Sequence, residues 1–155
     1  MAAPGEYRPD RTEGISRLED LPKPKKITRS RDFKRHLCPA CGHRAYRDRR
    51  MSRVLHDLGD PWSERPVDLY IRYSQHYCSV CNKYFNADMT DLALPGGSYT
   101  HRVVFTAVRL VVEDGLSYRS ASWHLWRDHR VFVPFATIQN WVEASGKKKR
   151  DPHIV

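Results

Sequence analysis

Val67-Asp68-Leu69-Tyr70-Ile71-Arg72-Tyr73-Ser74-Gln75-His76-Tyr77-Cys78-Ser79-Val80-Cys81 joins a period-two stretch directly to a Cys-x-x-Cys pair. Val67, Leu69, Ile71 and Tyr73 alternate with Asp68, Tyr70, Arg72 and Ser74, the pattern of a half-buried strand. The strand runs into Cys78, so a cysteine knuckle sits on its tip, with Tyr84 and Phe85 just beyond to cover what it holds. Upstream, Cys38-Pro39-Ala40-Cys41 supplies the other two of the chain's four cysteines. Two thiolates separated by two residues can both point inward from one tight turn. Two such turns supply the four soft ligands of a closed structural zinc site, with no position left for a catalytic water. One structural Zn²⁺ on Cys38, Cys41, Cys78 and Cys81 is therefore expected. Disulfides and a redox pair are the rival readings; no secretory signal pattern and no βαβ pattern around either pair speak for them. His43 and His76 flank the knuckles, and either could replace a cysteine as ligand.

Outward from the knuckles the reading stays that of a zinc ribbon over 37–92. Gly42 can relax the first knuckle, and Arg53-Val54-Leu55-His56-Asp57-Leu58 reads as a short strand ending in the turn Gly59-Asp60-Pro61. So few apolar strand residues make a small core, which needs a metal staple. The chain of 155 residues is 40% hydrophobic and 29% charged, enough for one or two small domains but not for a large enzyme core. No apolar run reaches the roughly 18 residues of a spanning helix, so no membrane partner is expected.

The net charge of +9 raises the prior for a polyanionic partner. Lysines and arginines cluster at 23–35, at 44–53 and at 147–150. Residues 1–36, rich in proline and poor in apolar periodicity, read as a disordered basic arm, and 147–155 as a basic tail. Arg44, Arg47, Arg49, Arg50, Arg119, Arg127, Arg130, Lys147, Lys148 and Lys149 are the expected phosphate contacts, which would bind without sequence preference and weaken steeply with salt.

After a linker at 93–98 the periodicity changes. From a Thr100 N-cap, Arg102, Thr106, Arg109 and Glu113 recur among valines and alanines as the polar face of a helix that Gly115 ends. Ser117 caps a second helix through Leu125, and a third starts near Pro134 with Ile138, Trp141, Val142 and Ser145 inward before Gly146 stops it. Three short helices over 99–146 suggest a helix-turn-helix, although the segment 127–133 is longer than a tight turn. The third helix would then present Ala136, Thr137, Gln139 and Asn140 to base edges, either amide matching adenine N6 and N7.

Cys38-Pro39-Ala40-Cys41-Gly42, Arg53-Val54-Leu55-His56-Asp57-Leu58, Arg65-Pro66-Val67-Asp68-Leu69 and Tyr77-Cys78-Ser79-Val80-Cys81, in this order, resemble the N-terminal zinc ribbon of DDE-type bacterial insertion-sequence transposases. Glu113-Asp114-Gly115-Leu116-Ser117-Tyr118-Arg119-Ser120-Ala121-Ser122, then Ala136-Thr137-Ile138-Gln139-Asn140-Trp141-Val142, are similar to the helix-turn-helix that follows such ribbons and binds transposon-end DNA. The resemblance implies a DNA-binding portion, truncated copy or domesticated remnant without the family's downstream catalytic domain, and hence no enzyme.

The expectation is thus an α+β chain: a disordered basic arm, a small zinc ribbon and a three-helix helix-turn-helix domain. It would bind double-stranded DNA sequence-specifically in the cytoplasm, on the nucleoid if bacterial, with no small-molecule substrate; a homodimer would suit inverted repeats. No three carboxylates share a scaffold for two metal ions, so no catalytic residue is expected. The alternatives are a zinc-ribbon transcription regulator and a protein-binding adaptor.

Overall fold

A computed structural model describes residues 22–149, the side chains of 147–149 excepted. The order of elements is β1 (Lys25–Arg31), β2 (Arg35–Leu37), β3 (Arg44–Asp60), β4 (Arg65–Cys78), β5 (Lys83–Asn86), α1 (His101–Val112), α2 (Tyr118–His129) and α3 (Phe135–Lys149). The period-two stretch becomes β4, and the sheet is built on it. Strands run in the order β1-β4-β3-β2, with β5 also paired to β4. β3 lies antiparallel along one edge of β4. The other edge is shared: β1 runs parallel beside Val67–Tyr73, and β5 antiparallel beside Gln75–Cys78.

Burial changes face midway along β4. Val67, Leu69, Ile71 and Tyr73 are buried, with Leu55 of β3 and with Ala87 and Ala93 of the segment that follows β5. From Ser74 onward the buried residues are Ser74, His76 and Cys78, on the opposite face. That face is covered by the turn before β2, where the Phe33 N–H donates to Ser74 Oγ at 3.1 Å. Phe85 completes the cover, its ring stacked 5.3 Å from that of His76. One strand therefore serves two covers, and the knuckle end has polar groups and rings where the other half has aliphatic side chains.

The three helices enclose their own core of Val103, Ala107, Leu110, Ala121, Leu125, Val131, Val133 and Ile138. Ser117 caps α2 by accepting from the Ser120 N–H at 3.1 Å. Arg130 ends α2 in the left-handed region at φ 51°, its N–H returning to the carbonyls of Leu125 and Trp126. Thr100 precedes α1, but its hydroxyl donates to Asp57 Oδ1 at 2.7 Å. Asp57 is buried and also accepts from the Leu58 N–H at 2.8 Å and from Arg102 Nη2 at 2.5 Å. A carboxylate at the start of α1 complements the helix dipole and fastens the helices to β3. Beside it, Gly59 permits contact with the end of α2: a Cβ there would lie 2.6 Å from both Arg130 Cβ and the His129 carbonyl oxygen.

The expected fold is overturned. The chain is α+β but strand-rich: a five-stranded mixed sheet followed by three helices, not a small zinc ribbon followed by a helix-turn-helix. Two pairings account for the difference. The basic stretch read as disordered arm supplies β1 and β2, because backbone pairing needs no apolar side chain and cations suit an edge strand. Arg65 secures the entry to β1, donating to the Lys23 carbonyl at 2.9 Å. The arginine run after the first knuckle is strand as well, so β3 has 17 residues where the sequence suggests a short strand at 53–58. In the helical part, Val131 and Val133 are buried between α2 and α3 with Phe132 exposed between them. The connection is thus an extended segment plugged into the core, not a tight turn. Gly146 does not end α3, which continues to Lys149. Residues 1–21 of the expected arm and 150–155 of the expected tail lie outside the described residues.

Candidate metal centre and basic surface

The sheet brings both Cys-x-x-Cys turns to one end, and they are the same turn twice. The Gly42 N–H donates to the Cys38 carbonyl and the Asn82 N–H to the Cys78 carbonyl, both at 2.8 Å. The residue after each second cysteine is left-handed, Gly42 at φ 75° and Asn82 at φ 54°. Glycine takes that conformation freely, and asparagine is among the few side chains that tolerate it. Each turn is closed by a short hairpin, β2 with β3 and β4 with β5.

The four sulfurs of Cys38, Cys41, Cys78 and Cys81 lie within 4.8 Å of one another and could hold a metal ion. Cys41 and Cys78 are 3.5 Å apart, and Cys38 and Cys81 4.0 Å, far beyond a covalent S–S bond. A tetrahedron with bonds of ~2.3 Å has its sulfurs about 3.8 Å apart, between these two values. Cys38 and Cys81 are shifted in opposite directions. The backbone N–H groups of Cys41 and Ala40 stabilise the Cys38 thiolate and bring it down to about 7. Hydrogen bonding with Cys41, then burial and the other sulfurs, push Cys81 up to about 12. Like charges this close do not ionise together unless a cation is shared.

His76 is no substitute ligand. It is buried, Nδ1 lying 3.1 Å from the Ala45 carbonyl and Nε2 2.8 Å from Ser74 Oγ. A carbonyl only accepts, so Nδ1 donates to it, and both ring nitrogens are occupied by protein partners. His43 is absent from the cluster; its carbonyl accepts from the Cys38 N–H at 2.8 Å and closes the first turn.

The expected phosphate contacts divide. Arg44, Arg49 and Arg119 are exposed. Arg47 and Arg50 both hold Asp32, at 2.9 and 2.8 Å. Arg127 lies against Asp128 at 3.1 Å. Arg130 is buried at the end of α2 with its guanidinium above Trp126, and its expected place on an outer phosphate surface is corrected accordingly. The side chains of Lys147, Lys148 and Lys149 lie outside the described residues. Among the expected base readers, Ala136 and Asn140 are exposed, and Thr137 and Gln139 half-buried beside the buried Ile138. Gln139 Nε2 donates to Glu143 Oε1 at 3.0 Å. Arg119 lies above the Phe135 ring, 4.3 Å from its centroid, at the start of α3.

Sequence reasoning missed Asp32 as the clamp on two arginines and Asp57 as the link between sheet and helices. A lone acid between Arg31 and Phe33 has no periodic signal; Asp57 had one, since it falls where a half-buried strand meets a turn. A cleft of about 280 Å³ between sheet and helices is bordered by His56, Asp57, Asp68, Tyr99 and Trp126. Of these, His56 is engaged with Asp68 at 2.8 Å, and Asp57 with Thr100 and Arg102 as described. Among the described residues no helix is long and apolar enough to cross a membrane. No family model, curated protein or solved structure matches the chain.

Proposed function

We propose that this chain is a zinc-held, sequence-specific double-stranded DNA-binding unit, of the kind with which a DDE-type transposase recognises the ends of its element. Zinc is the favoured ion because the donor set is four thiolates at tetrahedral spacing, with no carboxylate or imidazole in the cluster. Such a site contributes roughly 10–16 kcal/mol of folding free energy at neutral pH, as much as the whole stability of a small domain.

One observation carries the DNA reading: the first half of α3 leaves Ala136 and Asn140 open to solvent while Ile138 anchors the helix from behind. A helix fits the major groove, and an asparagine amide matches adenine N6 and N7 at ~1–3 kcal/mol of discrimination. Arg119 stands at the same end, held above Phe135 where a phosphate flanking the groove would pass. Gln139 is engaged with Glu143, so of the two amides Asn140 is the more available to a base edge.

Selection from a random duplex library with zinc-loaded protein at near-physiological salt tests this. An enriched motif that Asn140→Ala relaxes at one or two base pairs supports the reading. Retention without enrichment reduces it to backbone binding. No retention transfers the function to the adaptor reading, which the exposure of Trp62 (94%) favours and which predicts little dependence on salt.

A further inference from the structure

The knuckle end of the sheet has an outer face whose side chains form a row. Arg35 and Tyr46 are partners across β2 and β3, the guanidinium 5.6 Å from the ring centroid. Tyr77 and Tyr84 are partners across β4 and β5, their ring centroids 4.9 Å apart. Arg47 opposite His76 is the last pair between β3 and β4, and Tyr46 and Tyr77 are the next residues toward the knuckles. Arg35 with Tyr46 and Tyr77 with Tyr84 are thus two exposed pairs, one on each hairpin at the knuckle end, and the row runs from one to the other.

This row stands on a fixed base. The alternating residues beneath it include His36, His76 and Phe85, with centroids of 5.7 Å for the first pair and 5.3 Å for the second. Tyr77 is held by its hydroxyl, which donates to Asn82 Oδ1 at 3.0 Å. Tyr46 and Tyr84 are nevertheless 63% and 58% exposed. The segment that covers the sheet at Val67–Tyr73 does not extend over them. Three phenol rings held in the open by a rigid platform, with cations at one end, are not the composition of an ordinary solvated face.

We propose that this row is a binding surface for single-stranded DNA, in which unpaired bases stack on Tyr46 and Tyr84 and Arg35 and Arg44 take the phosphates. Ring faces are available only in unpaired bases, because in a duplex they are stacked on one another. Stacking on an aromatic side chain tolerates every base, so this surface is sequence-neutral, unlike the first half of α3. The positive border selects a polyanion over an apolar peptide: Arg44 lies on the same face as Tyr46, two residues away on β3, and Arg35 across from it. Of the acids nearby, Asp48 is paired with Arg49 at 3.6 Å and Asp32 with Arg47 and Arg50 at 2.9 and 2.8 Å. The surface is separate from α3 and does not depend on the duplex reading.

Fluorescence anisotropy with a labelled oligothymidine, and in parallel with a labelled hairpin duplex, tests it on the zinc-loaded full chain. Tyr46→Ala and Tyr84→Ala should each weaken oligothymidine binding about tenfold, with duplex binding unchanged. Tyr46→Phe and Tyr84→Phe should bind it nearly as the parent does, since the ring face is kept. Arg35→Ala should weaken it and lower the salt slope by about one. Should an alanine variant release zinc, the phenylalanine and Arg35 variants decide. Failure of the parent chain to bind oligothymidine, alanine variants that bind it undiminished, or equal losses on the duplex would each overturn the proposal. Loss of duplex selection with intact oligothymidine binding would overturn only the reading of α3.

Discussion

The knuckle end of the sheet and the three-helix unit are stabilised by opposite means. The helices bury Val103, Leu110, Leu125, Val133 and Ile138 around one another and meet in an aliphatic core. At the knuckle end the fully buried side chains are Ser74, His76 and Cys78, joined by hydrogen bonds and ring stacking, with four sulfurs gathered at the tip. One region is held by hydrophobic burial distributed over many residues; the other gathers at a single point four sulfurs that could hold a metal ion. The difference teaches where a perturbation spreads. Loss of one core side chain weakens the helices by degrees, whereas loss of one thiol would, on the proposed zinc, remove a ligand that both hairpins share.

Removal of the metal ligands should have the largest effect. Cys38→Ser with Cys78→Ser is expected to abolish zinc retention and cost ~10 kcal/mol or more of local stability, enough to open 35–46 and 75–86. Hydrogen exchange should show these segments unprotected while Leu125 and Ile138 stay slow; uniform loss of protection would erase the distinction between the regions. Leu125→Ala comes next, at about 2–5 kcal/mol from lost burial and the cavity left behind. Denaturant melts should register it while metal content stays at one ion per chain.

The junction between the regions is the third target. Gly59→Ala places a methyl group against Arg130 Cβ and the His129 carbonyl oxygen, and overpacking of this kind costs about 1–3 kcal/mol. Independent melting of the two regions in calorimetry is the expected sign; an unshifted single transition would show that the contact relaxes freely. The smallest effect is that of pH. Burial, then the charge of His124, lowers the His129 pKa below its ordinary 6.5, so the unfolded chain binds more protons than the folded one. Its contribution is full above that value and is lost as pH falls from about 6.5 through the folded pKa. A His129→Gln variant should flatten that part of the stability profile, and an identical slope would remove His129 as its cause.

Much of this could be read from the chain. The alternation from Val67 to Tyr73 is β4, and Thr100, Ser117 and Pro134 stand at the starts of the three helices. Spacing alone singled out the four cysteines that converge. The basic stretches were misread because their pattern is that of a solvated chain: Lys25–Arg31 has one aliphatic side chain, Ile27, and becomes a strand only because the edge of β4 offers it partners. The same holds for Arg44–Ser52: Arg44 pairs with β2, Arg47, Arg49 and Arg50 pair with β4, and Asp32 holds Arg47 and Arg50.

Local order was thus determined by the sequence itself: periodicity, caps and the two-residue spacing of each thiol pair act over a few residues and need no distant partner. The tertiary structure alone decided which edge β1 would join, that β4 would be covered first on one face and then on the other, and that Gly59 and Asp57 would lock the helices to the sheet. Those outcomes rest on backbone hydrogen bonds and close contacts between segments far apart in the chain, whose free energy exists only once both partners are in place.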